Sequence, residues 1–204
     1  MIAIIDYGAG NLFSLCSSLK YIGCDAVITS EAETIQKSEK MLLPGVGAFE
    51  DAARKLQGSG LRELVIRDAN KGKPLLGVCL GMQLLFEKSF EFGEHQGLGL
   101  LRGVVAPIRP RIPENFKVPH IGWNALKFPK GVISPLFKYI SEGSNVYFVH
   151  SYHAEKCGGS ITATAEYGAE LTAAVGQGNI FGTQFHPEKS GETGLNILRA
   201  FAEL

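Results

Sequence analysis

Short apolar runs alternate with segments of helical period over the first 86 residues, and this alternation restricts the fold more than any other feature. Residues 1–5, 26–28, 41–43 and 74–78 are brief and almost wholly apolar, as strands are when both faces of a parallel sheet are covered by helices. Between them, Leu12, Leu15, Cys16, Leu19 and Ile22 share one helical stripe, and helical patterns recur over 49–56, 61–70 and 80–86. From Gly93 onward, glycine and proline punctuate β-rich runs at 103–108, 146–150, 161–165, 171–175 and 180–185, which read as antiparallel. An amphipathic helix over 193–201 closes the chain. The expectation is an α/β fold with a mainly parallel central sheet flanked by helices and an antiparallel, β-rich C-terminal portion. No repeat, low-complexity tract or linker divides the 204 residues, so a single domain spanning 1–204 is expected.

Composition narrows the class of function. The 20 basic and 20 acidic side chains cancel, which leaves no overall field for phosphate backbones, so nucleic acid is not an expected partner. No apolar run is long enough to span a bilayer, and residues 1–11 read as a buried strand rather than a signal peptide. Cys16, Cys24, Cys79 and Cys157 lack metal-ligand spacing and are expected to stay reduced in a cytoplasmic protein with neither metal nor cofactor.

Gly77-Val78-Cys79-Leu80-Gly81 places a cysteine between two glycines where an apolar strand runs into a helix. A turn this sharp needs neighbours without bulk, and it lifts the central side chain above the sheet. A helix N-terminus there favours thiolate, and the Leu80 amide can face a developing oxyanion. Taken alone, the motif reads first as a buried cysteine at a tight junction.

A second motif, Gln184-Phe185-His186-Pro187-Glu188, follows another strand pattern. On an extended segment, residues two apart face the same way, so His186 can act as base while Glu188 orients it. Both motifs follow strand ends, where sites gather in open α/β sheets. Pro44-Gly45-Val46-Gly47 is a third strand end, whose glycines allow a backbone amide to approach a ligand.

In this order, the three motifs resemble the class I (triad) glutamine amidotransferases over essentially the whole chain. Asp6-Tyr7-Gly8-Ala9-Gly10-Asn11, the run from Gly77 to Phe86, and Pro119-His120-Ile121-Gly122-Trp123-Asn124 resemble, within that family, the glutaminase subunits of imidazole glycerol phosphate synthases. The resemblance implies that L-glutamine is hydrolysed to glutamate and ammonia through a thioester on Cys79. The ammonia passes to a cyclase subunit, a (βα)8 barrel bound as the other half of a heterodimer, for histidine biosynthesis.

By position, the resemblance implies oxyanion donors at Val46 and Leu80 and glutamine contacts at Gly47, Gln83 and Glu91. It places Asn11, Trp123, Tyr147 and Lys189 at the cyclase interface. On residue type alone, Trp123, in what reads as a Gly-Trp-Asn turn, suits an interface anchor or a core position equally. His150 reads as a pocket-wall or structural residue, and His120 has no partner visible in sequence. The rival readings are a glutaminase serving another ammonia-using synthase, a stand-alone γ-glutamyl hydrolase, and a scaffold that keeps only the fold.

Overall fold

The computed structural model describes residues 1–204. In chain order the first half runs β1 (Ile2–Ile5), α1 (Leu12–Tyr21), β2 (Ala26–Thr29), α2 (Ala32–Lys37), β3 (Lys40–Leu43), α3 (Phe49–Gly58), α4 (Leu61–Asn70), β4 (Leu75–Val78), α5 (Leu80–Leu84), β5 (Lys88–Ser89) and β6 (His95–Gln96). The second half runs β7 (Val104–Pro107), β8 (His120–Lys127), β9 (Asn145–His150), β10 (Tyr152–Glu155), β11 (Ile161–Glu166), β12 (Glu170–Gln177), β13 (Ile180–Thr183) and α6 (Gly191–Ala202).

One nine-stranded sheet, in the order β2-β1-β3-β4-β13-β12-β11-β8-β9, carries the molecule. From β2 to β13 every pairing is parallel, and from β13 to β9 every pairing is antiparallel. Because side chains alternate across a strand, Ala3 and Ile5 enter a core with α3, α4 and α5, whereas Ile2 and Ile4 face the opposite core with α1 and α6. The expected stripe on α1 is present, with Leu15, Cys16 and Leu19 buried and Leu12 and Ile22 half-buried. A smaller sheet, β10-β7-β5-β6, lies on the α3/α5 side and adds Val105 and Ala154 to that core. No helix is long and apolar enough to cross a membrane.

Three local expectations are corrected. The C-terminal portion is not purely antiparallel: β13 pairs parallel with β4, Gly182 opposite Gly77, and so joins the two halves of the sheet. Gly122-Trp123-Asn124 is no turn but part of β8, in register with β9, Trp123 facing Tyr147. The helix after Cys79 is one short turn ending at Leu84, so its dipole contributes less at Cys79 than a long helix would.

Candidate active site

Cys79 sits between β4 and α5 with φ 55° and ψ −111°, a backbone conformation that a side chain disfavours and that marks functional turns. The surroundings over-determine it. The Cys79 N–H donates to the Thr183 carbonyl at 2.7 Å, and the Cys79 carbonyl accepts from Gln83 N–H at 3.2 Å. The flanking glycines are sterically required: a Cβ on Gly81 would lie 1.9 Å from the Leu43 carbonyl oxygen, and one on Gly77 2.6 Å from the Gly81 carbonyl oxygen. The turn thus presses α5 against the end of β3.

The second motif meets Cys79 by a different route from the expected one. The extended run stops at Thr183, and Pro187–Lys189 is a 3-10 turn, so His186 and Glu188 do not share the face of a strand. The turn curls the carboxylate back instead, placing Glu188 Oε1 at 2.8 Å from His186 Nδ1, with both side chains almost fully buried. A carboxylate there fixes the tautomer with the proton on Nδ1, leaving Nε2 for the pocket. Burial pulls the imidazole pKa down, but interactions with the Cys79 sulfur and with Glu188 outweigh it and raise the value to about 9. His186 is anchored by its backbone, its N–H donating to the Tyr147 carbonyl at 3.0 Å and its carbonyl accepting from Ser190 Oγ at 2.6 Å.

A cleft of about 300 Å³ opens over these groups and is lined, among others, by Val46, Gly47, Leu80, Gln83, Glu91, His150, Tyr152 and His186. Val46, Gly47, Leu80, Gln83 and Glu91 therefore converge on Cys79, as the sequence led us to expect. The Glu91 carboxylate accepts from the N–H of Phe49, in the first turn of α3, which fixes the carboxylate at the rim. Gln83 Nε2 donates to the Tyr152 carbonyl at 3.2 Å and to Gln184 Oε1 at 3.0 Å.

The Pro44–Gly47 strand end is not open. Leu80 N–H donates to the Gly45 carbonyl at 3.3 Å, so one expected oxyanion donor is occupied. Tyr7, buried, donates its hydroxyl to the Pro44 carbonyl at 2.7 Å and holds the same strand end from beneath.

Of the four expected interface residues, three are contiguous. Trp123 is 57% exposed, which settles it outside the core, and its ring meets Tyr147 edge-on at 6.1 Å. Lys189 Nζ lies 5.9 Å from the centre of the Tyr147 ring. Asn11 stands at the N-terminus of α1 and makes no side-chain cap there, while its neighbour Gly10 packs against Pro44.

A match to the family described as "Glutamine amidotransferase class-I" covers residues 3–203. The chain belongs to this family.

Among class-I relatives, an "Imidazole glycerol phosphate synthase subunit HisH" of Caldanaerobacter subterraneus subsp. tengcongensis is 51% identical over all of this chain and 98% of its own. A protein of the same name from Wolinella succinogenes is 46% identical over the full length of both. In three dimensions, a structure described as a glutamine amidotransferase superposes with a TM-score of 0.76 at 18% identity, covering 100% of this chain and 99% of that one. The structure of PurLQS from Thermotoga maritima superposes at 0.75 and 19% identity, covering 99% and 97%. At these identities the two structures establish the shared fold.

Sequence reading missed three residues around Cys79. Tyr7 and Tyr152 carried no signal of their own, since a tyrosine near a turn is unremarkable. Gln184 stood inside the quoted Gln-Phe-His-Pro-Glu run but, two residues before the histidine, had no evident chemistry.

Proposed function

We propose that this class-I amidotransferase is the glutaminase subunit of an imidazole glycerol phosphate synthase, hydrolysing L-glutamine at Cys79 and delivering ammonia to a separate cyclase subunit. The observation that carries the chemistry is the convergence of a strained Cys79 and a buried His186/Glu188 pair on one cleft. The customer is supported by full-length relatives named as subunits of that synthase.

His186 takes the Cys79 proton, and the resulting imidazolium is stabilised by Glu188. The sulfur adds to the side-chain amide carbon of glutamine, and the carbonyl pair moves onto oxygen. Collapse expels the amide nitrogen, which takes the His186 proton and leaves as ammonia, forming the γ-glutamyl thioester. Water then adds to the thioester, giving its proton to neutral His186, and the C–S bond breaks with its electron pair returning to sulfur. Glu91, fixed at the α3 N-terminus, is positioned for the substrate's α-amino group, with Gly47 and Gln83 completing the cleft.

Both oxyanions need donors, and here lies the gate. With the Gly45 carbonyl on Leu80 N–H, the hole is filled by the protein's own backbone. Rotation of the Gly45–Val46 peptide removes that carbonyl and turns the Val46 amide inward, and Gly47, at φ 98°, gives the segment freedom to do so. The partner, docking on Trp123, Tyr147, Lys189 and Asn11 as a (βα)8 barrel, is the agent of that rotation, coupling hydrolysis to a waiting acceptor. In this reading the chain is one domain, works in the cytoplasm and needs no cofactor.

The test is Cys79→Ala assayed with the cyclase. Glutamine-dependent product is lost and ammonia-dependent product retained; retained glutamine-dependent product refutes the nucleophile, and loss of both means the cysteine is structural. Full glutaminase activity of the isolated chain refutes the gate.

A further inference from the structure

We propose that Gln184 is a further catalytic residue of the glutaminase reaction, its side-chain amide donating an N–H to the Cys79 sulfur and holding the negative charge that gathers there. The proposal rests on the glutaminase reading for its chemistry, but its central contact does not depend on it.

Gln184 Nε2 lies 3.8 Å from Cys79 Sγ, within a residue that has no solvent exposure at all. A buried amide can be turned either way about its last bond, and the two ends have opposite effects on a thiolate. Neighbouring groups choose the orientation. The Tyr152 carbonyl can only accept, so the Gln83 end that faces it at 3.2 Å must be its NH2. The second hydrogen of that NH2 points to Gln184 at 3.0 Å and requires an acceptor there, which is Oε1. Gln184 Nε2 is thereby turned to the sulfur. The opposite orientation sets two NH2 groups against each other and aims a carbonyl oxygen at the thiolate.

The Tyr152 carbonyl is itself held. His150 Nδ1 approaches it at 2.8 Å and must donate, so His150 Nε2 accepts from His120 Nδ1 at 3.0 Å. His120 lies stacked on Tyr167, ring centres 4.1 Å apart. Burial holds both imidazoles far below the usual histidine range, which keeps the relay neutral and its direction unambiguous. Two histidines outside the triad, His120 and His150, thus support, through Tyr152 and Gln83, the orientation of the amide beside Cys79.

A neutral donor complements His186. The imidazolium surrenders its proton when ammonia leaves, and at the end of the cycle the thioester bond returns an electron pair to a sulfur facing a neutral or newly protonated ring. An amide N–H keeps its proton throughout and serves the sulfur whenever it bears charge, as ligand in acylation and as leaving group in deacylation. The 3.8 Å separation leaves room for the contact to close as charge builds, as catalytic hydrogen bonds do on substrate binding.

Gln184→Met keeps the volume and removes the donor; Gln184→Glu keeps the shape and turns an acceptor to the sulfur. The readouts are the pH dependence of iodoacetamide alkylation at Cys79, followed by peptide mass, and glutamine- and ammonia-dependent turnover in the cyclase complex. For Gln184→Met the alkylation midpoint rises by about one pH unit, and kcat for glutamine falls about tenfold with little change in KM, as expected for loss of one hydrogen bond to a charged group. Gln184→Glu moves both further the same way, and Gln83→Met, which frees the amide to turn, moves the alkylation midpoint less. Circular dichroism and co-elution with the cyclase report folding of all three, and ammonia-dependent turnover reports only that the cyclase is intact; if Gln184→Met does not fold, Gln184→Glu and Gln83→Met carry the test. An unchanged alkylation profile in the folded variants overturns the proposal, as does a change confined to KM. If the parent protein hydrolyses no glutamine with any cyclase, the glutaminase reading fails while the alkylation shift still decides the role of Gln184.

Discussion

The amide of Leu80 and the carbonyl of Gly45 are hydrogen-bonded to each other at 3.3 Å, so the residue after Cys79 spends its N–H on the end of the neighbouring strand. This contact depends on the absence of a side chain at position 45. A Cβ there would lie 2.7 Å from the Gly81 nitrogen and 2.9 Å from Leu80 Cβ. Gly45→Ala is therefore expected to cost about 1–3 kcal/mol in urea denaturation, the usual penalty of forced overpacking. The same variant should show a reduced ratio of cyclase-stimulated to basal glutaminase activity, since the strand end no longer moves between two seats.

Tyr7→Phe tests the support beneath that strand. Burial, followed by the nearby Cys79, drives the Tyr7 phenol well above its ordinary range, so the hydroxyl remains a donor to Pro44 at every working pH. Removing it leaves a buried carbonyl without this partner, a loss of about 1–2 kcal/mol. Hydrogen exchange of the Val46 amide should accelerate in the variant; unchanged exchange would show that Tyr7 does not restrain the strand.

Strain at Cys79 predicts a difference in stability between two variants that both lack the thiol. Glycine accepts φ 55°, ψ −111° more readily than any residue with a Cβ, so Cys79→Gly should be more stable than Cys79→Ala by about 1 kcal/mol. In a chain of this size that is about 2–4 °C in Tm by scanning calorimetry.

Stability should pass through a maximum between weak acid and weak base. His120 and His150 are held down to about 4 and about 3 by burial, so as pH falls below the unfolded value the unfolded chain binds protons that the native one refuses. Their contribution is complete above about pH 6.5 and is lost progressively toward pH 4. His186, raised to about 9, acts oppositely: its contribution is complete below about pH 6.5 and is lost as pH rises through 9. Urea midpoints from pH 4.5 to 9.5 check this, and Glu188→Gln should flatten the alkaline limb while leaving the acid limb unchanged.

The parallel half of the sheet was legible because its strands are apolar on both faces and its helices show clear stripes. The pairing of β13 with β4 was not, since nothing local in Ile180–Thr183 says which of two edges it will meet. β8 escaped notice because its residue types run against its burial: the inward face carries His120, Gly122 and Asn124 beside Leu126, while Ile121 and Trp123 stand in solvent on the other face. α2 has six residues and a single buried side chain, Ile35, too little for a stripe. The histidine–carboxylate pair was found from spacing alone, yet the expected extended geometry was wrong; a 3-10 turn delivers the same contact because Pro187 admits either backbone. The orientation of Gln184 depends on a chain of donors and acceptors through Gln83, Tyr152, His150 and His120, and no linear pattern encodes it.

The placement of β13 bears on the life of the molecule before it is finished. This strand lies at the centre of the nine, between β4 and β12, and both the backbone partner of Cys79 and the His186/Glu188 pair arrive with it or just after. A ribosome that has made Cys79 has still to make more than a hundred residues before the His186/Glu188 pair exists. Chains interrupted before β13 expose the parallel edge of β4 and lack the His186/Glu188 pair altogether.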